Sequence, residues 1–162
     1  YCATWAKAAG DRAIIWTEHV AFAERLSEKT GLPYFGQDGL DAAGRYIEDH
    51  KGAMIAGIES NSKGRNLQYL WDKNLFTVGP KGAKGWEQTM GRTHRLGQTS
   101  DTVTVDVMMG CLEELDAFHR AKRKAQVILA TTGQYQRILY ADTNVPDEGN
   151  YPGHGWQWRR TT

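Results

Sequence analysis

Residues 88–98 read QTMGRTHRLGQ. Arg92 and Arg95 stand three apart after Gly91, a spacing that lets both guanidinium groups project from one helical face, or its terminal turn, toward a common anion. Each presents a planar fork of donors that stays charged, so two forks in one place serve mainly to bind anionic oxygen, with phosphate the natural candidate. The plainer reading is a surface ion pair with Glu87 or Asp101, the usual fate of neighbouring arginines on a helix. His94, set between two cations, is a poor general base at neutral pH. It reads as structural, as does Gln98, and neither reads as a metal ligand.

Outward from this stretch, short apolar runs alternate with amphipathic ones. Residues 13–16 (AIIW) predict a strand, after which Thr17 is expected to cap a helix carrying Phe22 and Leu26 and closed by Gly31. Residues 32–35 predict a second strand; Asp38 or Asp41 is then expected to cap a helix with Leu40, Ala43 and Ile47 on one face, closed at His50-Lys51-Gly52. Residues 53–58 (AMIAGI), 74–78 (NLFTV) and 102–108 (TVTVDVM) predict three more strands, with short helices between them. A longer helix is expected from Cys111 to about Ala130, acidic early and basic late, which suits the helix dipole. The alternation implies a parallel sheet with helices on both faces, whose ligands would be sought beyond the strand carboxyl ends. Past Thr131 the period is lost, so residues 131–162 read as an appendage or linker to a lobe spanning 1–130, without internal repeats.

At 162 residues the chain has room for one core. Its 24% charged and 40% apolar residues are a globular balance, and no apolar run reaches membrane-spanning length. With a net charge of +1, attraction to nucleic acid must come from local clusters. The two cysteines have no ligand spacing with each other or with the five histidines, so a soluble protein in a reducing, intracellular setting, cytoplasmic or nuclear, is expected. The start at Tyr1, without Met or a signal-like segment, predicts a piece of a longer polypeptide.

Gln88, Gly91, Arg92 and Arg95 match the QxxGRxxR motif of superfamily 2 helicases, and with His94, Gly97 and Gln98 the stretch resembles the longer GRxHRxGQ form of Swi/Snf-type DNA-dependent ATPases. Other matches follow in register over about residues 14–124. SNSKGRNL at 60–67 is similar to the family's AGGxGxNL segment, with Asn61 and Ser62 replacing glycines, and GCLEEL at 110–115 is similar to GTxEE, with Cys111 in place of Thr. YFG at 34–36 and Arg45 resemble the second strand and helix of the same lobe. The resemblance implies a RecA-like C-terminal lobe, α/β, that clamps ATP and Mg2+ against an N-terminal RecA-like lobe of the same polypeptide and contacts DNA, duplex or single-stranded. Arg95 would be the arginine finger, worth ~10³ to 10⁵ in rate, with Arg92 bracing the phosphates or the contact between lobes. Gln88, Gly64 and Asn66 would line the nucleotide; Ser62, Lys63 and Gly36 would face DNA.

The phosphate loop GxxxxGK[ST] and an acidic box after a strand are both missing, so Mg2+ would be held mainly by the other lobe, and the chain alone is expected to hydrolyse ATP poorly or not at all. Gly64 and Asn66 are also ordinary turn residues, and the basic run at 119–124 (HRAKRK) is ordinarily a solvated helix face. Trp156, Trp158, Arg159 and Arg160 suit stacking on single-stranded nucleic acid or packing on the domain. A non-catalytic binding module that keeps this fold is the alternative, and a Rossmann-like enzyme is disfavoured because no GxGxxG follows a strand.

Overall fold

Five short runs pair into one sheet whose strands Ala13–Thr17 and Met54–Gly57 are buried on both faces, as central parallel strands covered by helices are. In the computed structural model, which describes residues 1–148, the strands are β1 (Ala13–Thr17), β2 (Tyr34–Phe35), β3 (Met54–Gly57), β4 (Lys73–Phe76) and β5 (Thr104–Val107). They lie in the order β2-β3-β1-β4-β5, every neighbouring pair parallel.

The helices are α1 (Cys2–Ala9), α2 (Val20–Thr30), α3 (Ile58–Asn61), α4 (Gly82–Met90) and α5 (Leu112–Thr132). Alternate strand residues point to opposite faces and sort the core in two. Ile15, Ile55 and Leu75 pack with Cys2 and Ala6 of α1 and Ala23 and Leu26 of α2. Ile14, Trp16, Ala56, Phe76 and Val107 pack with Trp86 and Met90 of α4 and Leu115 and Phe118 of α5. The fold is therefore α/β, a parallel sheet with helices on both faces.

Three local expectations are corrected. Thr17 does not cap the first crossover helix: it stays in β1, its hydroxyl accepts the His19 N–H at 3.2 Å, and the helix starts at Val20 behind His19. No α-helix forms across residues 38–47; only short 3-10 turns occur, at Gln37–Gly39 and Ile47–Asp49. Asp38, Gly39 and Gly44 have φ of 55°, 71° and 75°, which a right-handed helix cannot hold. The Asp41 carboxylate instead accepts the N–H groups of Ala43 and Arg45, both at 2.9 Å, and closes a turn. Arg45, placed by the resemblance on a helix, sits in that turn and pairs with Asp41.

The chain after α5 returns to the lobe. Ile138 is 1% exposed within the larger core, Thr143 bridges Val105, and the Asn144 amide both accepts the Val107 N–H and donates to the Val107 carbonyl. The outer edge of β5 is thus partly covered, which limits pairing with other chains. Trp156, Trp158, Arg159 and Arg160 lie outside the described residues. Among the described residues, no helix is long and apolar enough to cross a membrane.

Candidate functional site

Ala83, Trp86 and Met90 recur along α4 at helical spacing and fix its buried face. The Trp86 ring lies 4.8 Å from Phe76 and 5.2 Å from Phe118, the latter edge to face. Since α4 joins two adjacent parallel strands, it runs back across the sheet, and its last turn arrives at the strands' amino ends. QTMGRTHRLGQ therefore sits at the amino edge, opposite to the carboxyl edge where open α/β sheets usually hold ligands. Beyond Met90 the helix unwinds through Arg92 N–H to Thr89, Thr93 N–H to Met90 and His94 N–H to Met90. Arg92 and Arg95 both project from this terminal turn.

The core holds the turn at three points. Thr93, fully buried, donates its hydroxyl to the Asn74 side-chain oxygen at 3.2 Å; that oxygen also accepts the Trp16 indole N–H at 3.0 Å. Gln98 donates to the carbonyls of Thr93 and Trp71 at 2.8 and 2.9 Å, while its oxygen accepts from the Ser100 N–H and from Arg12. Arg12 in turn pairs with Asp72, so residues preceding β1, β4 and β5 are tied to one another. Two glycines are required locally. A Cβ at Gly91 would stand 2.9 Å from the Glu87 carbonyl oxygen, and Gly97, at φ 94°, would bring one to 3.0 Å from the Tyr69 ring.

Arg92, half-buried, donates from Nε to the Gln88 carbonyl and from Nη1 to the Arg65 carbonyl, each at 3.0 Å. Arg95, exposed, donates from Nη1 to the Asn66 side-chain oxygen at 3.0 Å. Among the described residues neither arginine has a carboxylate partner. The plainer ion-pair reading therefore fails: Glu87 is taken by Arg137, and Asp101 pairs with neither. Burial first, then the charges of Arg95 and Arg137, pull the Arg92 guanidinium below its ordinary pKa. Among the described residues, Arg92 and Arg95 thus bring two positive charges together with no carboxylate bonded to either, which favours a bound anion.

Of the other candidates, Gln88 contributes its backbone carbonyl to Arg92, and Asn66 its side chain to Arg95. Gly64, exposed at φ 73°, lies two residues before Asn66. Gly36 and Ser62 are buried at the carboxyl ends of β2 and β3, joined by Asn61, whose amide donates to the Phe35 and Gly57 carbonyls. Lys63 next to them is exposed. The candidates thus divide between the two sheet edges, and residues 62–67 run between them, ending where the Leu67 N–H meets the Arg92 carbonyl.

Sequence reasoning passed over Arg12, Asp72, Arg65 and Arg137, because side-chain ties between distant segments have no local spacing. In GCLEEL, Glu114 accepts the Gly110 N–H at 2.5 Å at the start of α5, so its acid serves the helix terminus. Most of the basic run is paired along the helix surface: His119 faces inward, Arg120 pairs with Asp116, Arg123 pairs with Glu148 and Lys122 lies over the Phe118 ring, while Lys124 is exposed.

The anchored arginine pair presents donors suited to anionic oxygen. Among the described residues there is no group of three or more His, Cys, Asp or Glu side chains placed to hold a metal ion. No family model matches the chain, and no curated protein matches it. Among solved structures, the C-terminal part of the Fun30 ATPase domain matches with a TM-score of 0.51 at 14% sequence identity. The match covers 68% of this chain and 39% of that one, so this chain corresponds to well under half of the compared structure. At that identity the likeness is one of architecture: the chain has the RecA-like α/β fold found in the C-terminal part of the Fun30 ATPase domain.

Proposed function

We propose that this chain is the second RecA-like lobe of an ATP-dependent DNA helicase or translocase, with Arg95 and Arg92 facing the phosphates of ATP held against a first lobe. One observation carries the reading: two arginines, fixed by carbonyl and amide oxygens at the amino edge of the sheet, have no carboxylate partner among the described residues. The fold shared with part of an ATPase domain supports it.

The two arginines divide the work. Arg92 is committed by two backbone bonds and braces the site; Arg95, exposed and held at one nitrogen, keeps donors available for charge developing on a transferred phosphoryl group. Gln88, Gly64 and Asn66 set the backbone and side-chain positions around them. ATP, when bound, supplies the phosphoryl group, and Mg2+ is assigned to acids of the first lobe. At the opposite edge the exposed Lys63 is the DNA-facing group, with the buried Ser62 and Gly36 shaping the backbone behind it, so that residues 62–67 link the two functions.

The test is DNA-stimulated ATPase turnover of the full-length protein, with single-stranded, duplex and branched DNA at stated salt. Arg95→Ala is expected to lower turnover by at least about a hundredfold with folding intact. Near wild-type turnover in that variant would remove the arginine-finger role, and the absence of DNA stimulation would remove the translocase reading.

A further inference from the structure

Beyond α5, a residue outside the motif grips the arginine turn. The Arg137 backbone N–H donates to Glu87 Oε2 at 2.6 Å, its Nη1 pairs with Glu87 Oε1, and its Nε donates to the His94 carbonyl at 2.8 Å. Glu87 is in the last part of α4, next to Gln88; His94 lies between Arg92 and Arg95. One guanidinium therefore spans the helix end and the loop that carries both arginines. Its neighbour Ile138 is anchored in the core, and the side chains of Arg137 and Glu87 are only 24% and 22% exposed, so their pairing is less screened than a surface bridge.

We infer that Arg137 is a positioning residue, which sets the Arg92–Arg95 turn in its phosphate-facing geometry from a segment outside the motif. This rests on the function proposed above. The fork geometry matters: a guanidinium donates along two directions at once, to the carboxylate and to the carbonyl, whereas a lysine ammonium is a point charge on a flexible stem. Without the Arg137 side chain the His94 carbonyl loses this donor, and the Glu87 carboxylate beside Gln88 keeps only the backbone N–H of residue 137. Displacements of about 1 Å in such a turn are enough to cost ~10²-fold in rate.

The experiment is a double-mutant cycle on DNA-stimulated ATPase of the full-length protein, assayed well below the melting temperature of every variant. Arg137→Ala is expected to lower kcat about tenfold or more, with KM for ATP within about twofold of wild type. In the Arg95→Ala background it should cost less than about twofold further, because its effect passes through the turn that bears Arg95. Arg137→Lys should fall between wild type and Ala. Independent, multiplying losses in the cycle would overturn the inference, as would Arg137→Ala turnover within twofold of wild type. Should Arg137→Ala fail to fold, Arg137→Lys takes its place in the cycle and is read by the same criterion. A loss in Arg95→Ala without one in Arg137→Ala defeats only this inference; wild-type turnover in Arg95→Ala defeats the proposed function itself.

Discussion

Replacing Asn74 by Ala should destabilise the chain by about 2–4 kcal/mol, far more than the size of the side chain suggests. Asn74 is 1% exposed in β4; its oxygen accepts the Trp16 indole N–H and the Thr93 hydroxyl, and its amide donates to the Thr104 carbonyl at 3.1 Å. Its removal strands a buried indole donor, at about 1–3 kcal/mol. The Thr93 hydroxyl retains a fallback in the Met90 carbonyl at 3.4 Å, so its loss is small. The Thr104 bond is only partly buried and contributes about 1 kcal/mol. Urea unfolding, followed by tryptophan fluorescence and far-ultraviolet circular dichroism, should show the midpoint falling by about 1–2 M at unchanged m. Thr93→Val, which loses only the hydroxyl, should cost about 1 kcal/mol. Equal costs for the two variants would refute the claim that Asn74 ties β1, β5 and the arginine turn together.

Two further outcomes are expected. Lys63→Ala in the full-length protein should weaken DNA binding to a similar degree across sequences and reduce the slope of log K against log salt by about 0.7–0.9, read from affinities at several salt concentrations; an unchanged slope would remove Lys63 from the DNA-facing part. For His94, burial and then the charge of Arg137 lower the pKa below 6.5, against an opposing pull from Glu87. The unfolded chain then takes up the proton first. Stability from this group is therefore complete above pH 6.5 and lost as pH falls below it toward the lowered folded value. Comparing urea midpoints at about pH 7.5 and about pH 5.5, His94→Asn should lose less on acidification than the wild-type chain; an equal loss in both would sink the assignment.

The centre of the sheet was legible because β1 and β3 are buried on both faces and appear as unbroken apolar runs. AIIW became β1, and AMIAGI contained β3, each within a residue or two. The failures have physical causes. Residues 38–47 carry apolar residues at helical spacing, yet Gly39 and Gly44 take left-handed angles and Asp41 bonds its own turn, so local backbone chemistry overrode the period. Helix α1 escaped notice because its buried face is only Cys2 and Ala6, too small for a periodic signal. The pairing of Arg92 and Arg95 could be read from their spacing, but their edge of the sheet could not. That depends on α4 running antiparallel to the strands, a fact of topology that no spacing within the motif records.

The position at the amino edge also bears on how such a site would work. Thr93 is bonded into the core through Asn74, Gln98 fastens the turn to the residue before Asp72, and Arg12 joins that point to the start of β1. Packed cores do not deform continuously, so on the function proposed above the arginines advance or withdraw with the whole lobe. Their distance from a phosphate held by another lobe would then report the lobe's position. Residues 62–67 leave the carboxyl edge at Ser62 and end against the Arg92 carbonyl, so displacement of the same body would carry Lys63 along. On the proposed function, a rigid lobe with an arginine turn at one edge and an exposed cation near the other would need no flexible relay between ATP and DNA: its own stiffness would couple them.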